Sequence, residues 1–325
     1  MVKDGTIVDV AVLIAAWNAE TTLERAVLSV LEQKDVSFQI AICDDASTDN
    51  TYRIANDLAE QHPEVIALQS PQNAGPARAR NLCFDATASR YVAALDSDDF
   101  FEPGRLSALV HEADGAGWDL IADDLYRVTE TRLGDRSDRL IGDQTAADQT
   151  LGFEDFVAGN ISALSGQRGE LGFLKPLMRR SFLKSQGLRY PEDVRLGEDY
   201  ALYALALARG ATFRLMRSAG YVAVMRETSL SGAHDARDLA ALAAADAMIA
   251  KEPSLTSGDQ HVLRLHLLDT LKRWHWLRLI DAVKERNWSA ALGAFYAPPQ
   301  VGLSLLSKLS EQVVIRTQKR LRGIP

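Results

Sequence analysis

The chain has 325 residues, 47% apolar and 25% charged, which suits one large or two modest soluble domains. A formal net charge of −8 argues against general nucleic-acid binding. Two cysteines, Cys43 and Cys83, argue against a disulfide framework and fit a reducing cytosol, and no apolar run approaches the roughly 18 residues that span a bilayer. The opening Met1-Val2-Lys3-Asp4-Gly5 is charged and contains glycine, so no signal peptide is expected.

Residues 8–128 alternate between two periods. Apolar runs at 8–16, 38–43, 65–68 and 91–95 predict strands, and Leu23, Ala26, Val27, Val30 and Leu31, then Ile54 and Leu58, then 77–88 predict the helices between them. Such alternation implies right-handed crossovers and a mostly parallel, Rossmann-like α/β sheet, whose ligands bind beyond the carboxyl ends of the strands. Residues 131–150 are polar and predict an exposed excursion. Apolar order resumes at 153–157 and 171–177, and a helix over about 198–209 ends at Gly210. Strands are expected at 211–215 and 221–225. From Asp235 onward the pattern is helical, with segments to Ala250, over 258–286 and over 301–321. The boundary between a catalytic domain and a helical C-terminal region falls at 232/233. From Lys251 onward basic residues outnumber acidic ones about two to one.

The strand ends carry the unusual chemistry. Ala15-Ala16-Trp17-Asn18 offers an aromatic face on which a base can stack, worth about 1–3 kcal/mol, or else a rim tryptophan of the core. In Asp44-Asp45-Ala46-Ser47-Thr48-Asp49, the last three residues can cap the following helix, while two adjacent acids exceed what a cap needs and suit a pyrimidine imino proton. Asn73-Ala74-Gly75-Pro76 opens a helix, with Gly75 allowing close approach of the backbone and Arg78 and Arg80 suited to ribose or phosphate oxygens. After the apolar 91–95 come Asp96-Ser97-Asp98-Asp99, with nothing cationic nearby in sequence. Carboxylates at the end of a buried strand repel one another and lose hydration. Either Asp96 and Asp98 share Mg²⁺ or Mn²⁺, or the run is a polar loop whose Asp99 caps the next helix ahead of Pro103. Glu198 and Asp199 begin a helix otherwise built of Ala, Leu and Tyr, as partners of the helix dipole or as a general base. Arg226 follows a strand and can reach a diphosphate. His234 is either a metal or phosphate contact or incidental.

These motifs, in this order and spacing over roughly residues 8–232, resemble the family 2 glycosyltransferases of the GT-A fold. The resemblance implies a nucleotide-sugar site that uses Ala15, Trp17, Asn18, Asp44, Asp45, Asn73, Gly75, Arg80, Asp96, Ser97 and Arg226. Trp17 stands where a tyrosine usually flanks uracil, and Asp45, with Asp44 beside it, matches the uracil-binding acid. Asp96 matches the residue at the ribose and metal shell, Asp98 the direct ligand of Mn²⁺ or Mg²⁺, and Asp199 the catalytic base, with Glu198 as the neighbouring candidate. It implies an inverting transfer from a UDP-sugar to a glycan hydroxyl. The Gln-x-x-Arg-Trp motif of processive synthases is missing, because Lys272-Arg273-Trp274 lacks its glutamine, so a single-sugar transfer is implied.

The alanine-rich style is similar to that of bacterial exopolysaccharide glucosyltransferases of the succinoglycan type, which implies a polyprenyl-diphosphate-linked acceptor at the inner face of the plasma membrane. The basic helices with Trp274, Trp276, Leu277 and Trp288, then Leu305, Leu306, Leu309 and Val313, suit an anionic membrane surface, packing on the catalytic domain, or a homodimer contact. Two other classes compete. A sugar nucleotidyltransferase would carry a Gly-rich loop after the first strand, and a catalytically silent nucleotide-sugar binder would lack Asp98 or Asp199, which are both present.

Overall fold

The computed structural model describes residues 7–141, 149–162, 171–225 and 235–321, and these build one sheet of nine strands. Its first half follows from the alternating pattern. Strands β1 (Val8–Ala16), β2 (Phe38–Asp44), β3 (Val65–Gln69) and β4 (Ser89–Ala94) pair in parallel in the order β3-β2-β1-β4. Helices α1 (Leu23–Leu31), α2 (Thr51–Gln61) and α3 (Pro76–Ala86) make the crossovers. Ala16 lies beside Asp44, and Asp44 beside Gln69, so the carboxyl ends of the strands share one edge. The chain turns from one side of β1 to the other between β3 and β4, the place where open α/β sheets form a binding crevice.

The two faces of β1 feed two cores, as a period of two requires. Val10, Val12 and Ile14 pack with Leu23, Val27 and Leu58 on one face. Ala11 and Leu13 pack with Ala77, Ala79 and Cys83, and with Phe156, Tyr200 and Tyr203, on the other.

Beyond β4 the sheet is mixed. Strand β5 (Phe100–Phe101) precedes helix α4 (Arg105–Ala116) and β6 (Leu120–Thr129). Then come β7 (Gln149–Thr150), α5 (Phe153–Ala158), a 3-10 turn at Leu171–Phe173, β8 (Leu177–Arg179) and α6 (Arg180–Ser185). Short β8 fits antiparallel between β4 and β6. The two strands expected at 211–215 and 221–225 are one, β9 (Phe213–Met225), parallel to β6 with a register shift between Asp123 and Leu125. Gly220 makes that run possible. Its φ is +115°, its carbonyl accepts from the Glu102 amide at 2.7 Å, and a Cβ would collide with the Glu102 side chain.

Helix α7 (Glu198–Ala208) follows the expected span and ends before Gly210 at φ +87°. Helix α8 (Ala236–Ile249) is capped by Asp235, which accepts from the amides of Arg237 and Asp238. Thr256 caps α9 (Ser257–Lys284), and α10 (Trp288–Gly293) and α11 (Pro299–Leu321) follow. Leu242, Ile249, Val262 and Leu263 join the core on the α3–α7 face of the sheet. Trp276 and Leu305, for which membrane contact, packing and a dimer contact are all open from sequence, pack with Leu279, Ala291 and Ala294 in a small cluster of their own. The side chain of Val313 lies outside the described residues.

One ion pair anchors the mixed half. Arg105 is fully buried, with Nη2 2.6 Å and Nε 3.1 Å from Asp123, and Nη2 also donates to the carbonyl of Lys175 at 2.8 Å. Asp123 takes the Tyr221 amide at 3.1 Å, so α4, β6, β9 and the approach to β8 meet at one carboxylate. Replacing Arg105 with Met is expected to cost about 3–5 kcal/mol, because Asp123 would keep a buried charge without its counter-ion. Urea unfolding followed by circular dichroism measures the loss, and a cost below about 1 kcal/mol would contradict it.

Candidate active site

The ends of β1 and β2 are laced together by side chains. Asn18 takes φ +50°, its amide donates to Ser47 Oγ at 2.9 Å, and its Oδ1 accepts from the Thr48 amide at 2.9 Å. Trp17 remains 44% exposed at the rim beside half-buried Ala15, an aromatic surface available to a planar ring. Asp44 is sealed beneath the rim, accepting from the Ser47 amide at 3.3 Å and from Gln69 Nε2 at 3.3 Å. Its oxygens thus bind groups at the neighbouring strand ends. Asp45 is also buried. Its carboxylate accepts from the amides of Ala74 (3.0 Å) and Gly75 (2.7 Å), and its carbonyl accepts from Asn73 Nδ2 at 3.3 Å. The acid thus fixes residues 73–75 as a wall beside the first strand ends, with Gly75 at φ +92°.

The acidic end of β4 is where the structure departs most from expectation. Asp96 has two cationic partners, both distant in sequence. Arg80 Nη2 sits 2.5 Å from Oδ1 and Lys175 Nζ 3.1 Å from Oδ2. Burial alone would raise this carboxyl, but Lys175 and Arg80 overcome it and hold Asp96 at about 2. Arg80 therefore does not reach for ribose or phosphate. It is buried against the Tyr190 ring, and Nη1 also contacts Glu198 at 2.8 Å and Asp199 at 3.3 Å. Asp99 is no helix cap. It is buried, accepts from Tyr221 Oη at 2.7 Å and the Val224 amide at 2.8 Å, and is pushed well up by burial and by Asp96 and Asp98. Ser97 and Asp98 stay half-buried, and the Asp98 carbonyl accepts from Arg25 Nη2.

Among the described residues no three Asp, Glu, His or Cys side chains converge as a metal cage. Both oxygens of Asp96 face protein cations, Arg80 on one and Lys175 on the other. An Mg²⁺-like ion often takes one or two carboxylates and completes its shell with phosphate oxygens and water. Asp98 brings a second, half-buried carboxylate to the same strand end.

Glu198 and Asp199 open α7 after Gly197, whose φ of +81° turns the chain into the helix. Both are buried. Lys175 Nζ lies 2.5 Å from Asp199 Oδ2, while Arg80 and Tyr203 Oη (3.2 Å) contact Oδ1. Lys175 loses hydration by burial, yet Asp199 and Asp96 raise its proton affinity overall. Reading along the chain missed Lys175. Its signal was a lone lysine within the apolar run Phe173-Leu174-Lys175-Pro176-Leu177, a residue type almost never buried without a partner. Arg226 and His234 lie outside the described residues.

Two cations face three carboxylates here, and Glu198 carries the excess. Burial first, then Asp199, raise its carboxyl to about 7 against the opposing pull of Arg80 and Lys175. Above the ordinary value of 4.5 the unfolded chain releases this proton while the folded enzyme keeps it, so stability falls as pH rises towards about 7. Glu198→Gln is expected to flatten the decline between about pH 4.5 and 7, measured by chemical denaturation across that range. An unchanged slope would refute it.

Comparison with known proteins agrees with this geometry. The family model described as Glycosyl transferase family 2 matches residues 11–165. The chain is 38% identical over 286 residues to the succinoglycan biosynthesis protein ExoU of Rhizobium meliloti (strain 1021), covering 88% of this chain and 82% of that protein. It is 36% identical over 102 residues to the Escherichia coli UDP-Glc:alpha-D-GlcNAc-diphosphoundecaprenol beta-1,3-glucosyltransferase WfaP, covering 31% of this chain and 40% of that one. The S. aureus TarS 1-349 structure in complex with UDP-GlcNAc superposes with a TM-score of 0.66 at 18% identity, over 93% of this chain and 85% of that one. The central sheet and its flanking helices are those of the GT-A fold. The chain belongs to glycosyl transferase family 2 and is a glycosyltransferase.

Proposed function

We propose that this enzyme transfers a single hexose, with inversion, from a UDP-sugar to a hydroxyl of a polyprenyl-diphosphate-linked oligosaccharide in the assembly of a bacterial exopolysaccharide. UDP-glucose is the first donor to test. The observation that carries this reading is the junction of the acidic β4 end with the acids of α7: Asp96, Glu198 and Asp199 all contact one guanidinium, that of Arg80. The similarity to ExoU supports the pathway class, and the donor and lipid acceptor in the printed name of WfaP support the substrates. Residues 1–232 hold the donor and perform the chemistry in this reading, and 233–325 meet the acceptor or its membrane.

Trp17 stacks on the uracil, and Asp45 holds the 73–75 wall beside it. Asp199 takes the proton from the acceptor hydroxyl as that oxygen forms its bond to the anomeric carbon and the bond to the diphosphate oxygen breaks on the opposite face. Glu198 is the second candidate base. Asp98 would hold a divalent cation, which when bound would supply the positive charge that stabilises the departing nucleoside diphosphate. With the leaving group stabilised as an anion, a single protein base suffices, unlike the paired carboxylates of glycoside hydrolysis.

Release of UDP from UDP-glucose is expected to require Mn²⁺ or Mg²⁺. Asp98→Ala and Asp199→Asn should each lower kcat by about 10²–10⁴-fold. Turnover in the presence of EDTA, or undiminished turnover in Asp98→Ala, would refute the metal role. Full activity in Asp199→Asn together with its loss in Glu198→Gln would move the base by one residue.

No helix among the described residues is long and apolar enough to cross a membrane. The tail instead suits the surface of an anionic bilayer at the cytoplasmic face. Trp288, Leu292 and Tyr296 are spaced four apart and are 65%, 75% and 93% exposed, and Leu303 and Leu306 on α11 are exposed as well. Residues 251–325 carry a formal charge of +6, against −14 for the preceding 250. Aromatic rings at the headgroup level and basic residues towards anionic lipid are the usual pairing. The full chain is expected to float with phosphatidylglycerol vesicles but not with neutral ones, and truncation after Pro298 should weaken flotation. Equal binding by both forms would remove α11 from the contact, and dimerisation lost with the same truncation would favour a second copy.

A further inference from the structure

Lys175 has no role in the account above, yet it occupies the centre of the charged cluster. An ammonium taken out of water is costly unless its partners are well placed, and taking one member out of a buried charge cluster leaves the others uncompensated. Stability alone asks only for a counter-charge here, and the identity of the two acids that Lys175 joins points to function as well. Its two partners come from the two sides of the reaction. Asp96 ends the strand on the donor side, and Asp199 opens the helix that supplies the base. Arg80 reaches the same two acids from α3, but its contact with Asp199 is 3.3 Å, against 2.5 Å for Lys175. The backbone of Lys175 is itself held, since its carbonyl accepts from Arg105 Nη2 and Pro176 leads directly into β8 at the middle of the sheet.

We infer that Lys175 is a positioning residue for glycosyl transfer, tying the donor-side Asp96 to the acceptor-side Asp199 so that the base stands at a fixed distance from the bound sugar. The inference rests on the proposed function. Lys175 acts through the two carboxylates, so its loss falls on the chemical step. Donor binding is left largely intact, because the base-stacking Trp17 and the 73–75 wall do not depend on it.

The test compares Lys175→Met and Lys175→Arg with wild-type enzyme. Thermal melting and near-ultraviolet circular dichroism report folding, UDP titration reports donor affinity, and steady-state transfer gives kcat and KM. Lys175→Met is expected to keep UDP affinity and donor KM within about threefold while kcat falls ~10²-fold, the scale of a small misplacement of a reacting group. Lys175→Arg, which restores a cation with a longer reach, should recover at least about tenfold of that loss. If Lys175→Met does not fold, Lys175→Arg decides alone: a folded variant with lowered kcat and unchanged donor KM supports the role. A kcat within about threefold of wild type in Lys175→Met refutes the inference, as does one in Lys175→Arg where Lys175→Met does not fold. So does a fall in kcat matched by an equal loss of UDP affinity and folded fraction, because a purely structural lysine would behave that way. A wild-type enzyme inactive on every UDP-sugar refutes the proposed function and this inference together, whereas an active wild type with an active Lys175→Met refutes the inference alone.

Discussion

Three carboxylates and two cations, in direct contact with one another, set the terms at the centre of this enzyme. Asp96, Glu198 and Asp199 could not be brought together alone, because each loses hydration and repels the others. Arg80 and Lys175 make the approach possible, and in doing so they fasten α3, the end of β4, the segment before β8 and the start of α7 to one another. The cations do not balance the acids. The remainder appears as divergent proton affinity, with Asp96 held at about 2 and Glu198 raised to about 7. One cluster therefore holds a permanently ionised group at the end of β4 and a group near its titration point at the start of α7.

A second buried pair keeps that cluster in place. Arg105 and Asp123 hold the Lys175 carbonyl and the Tyr221 amide, and the Tyr221 hydroxyl in turn holds Asp99. The three aspartates after β4 thus divide their work by depth. Asp99 anchors the loop to β9, Asp96 joins the charge cluster, and Asp98 stays half-buried at the crevice. The divalent ion suggested by the strand-end acids was inferred because no cation lay nearby in sequence. Two protein cations, Arg80 and Lys175, answer that electrostatic need at Asp96.

The local signals were legible wherever they depended on neighbours in the chain. Alternating periods place β1 to β4 and α1 to α3. The turn at Gly197 and the apolar face that follows place α7, and the polar residues after each strand mark one rim. Less was legible in the second half of the sheet. Phe100–Phe101 and Leu177–Arg179 are too short to show a period, and β9 bends through Gly220 at a point where the sequence reads as a break between two strands. Arg80 and Glu198 lie 118 positions apart, so no spacing along the chain could pair them. Asp44 and Asp45 read as more than a helix cap, and the partners that hold them, Ser47, Gln69 and the amides of Ala74 and Gly75, are set by the fold.

Hydrophobic period and strand-end composition, read along the chain, already specify a mostly parallel α/β sheet with acids on its binding edge, because those patterns arise from contacts a few residues apart. Which carboxylate is neutralised, which is left to titrate and which faces the crevice depends on Arg80 and Lys175, and these meet their partners only when the chain closes on itself. Desolvation and ion pairing act over a few ångströms of space and take no account of distance in sequence. Lys175 is the plainest case. Along the chain it is a stray charge before a proline, and in the folded enzyme it joins the two halves of the site.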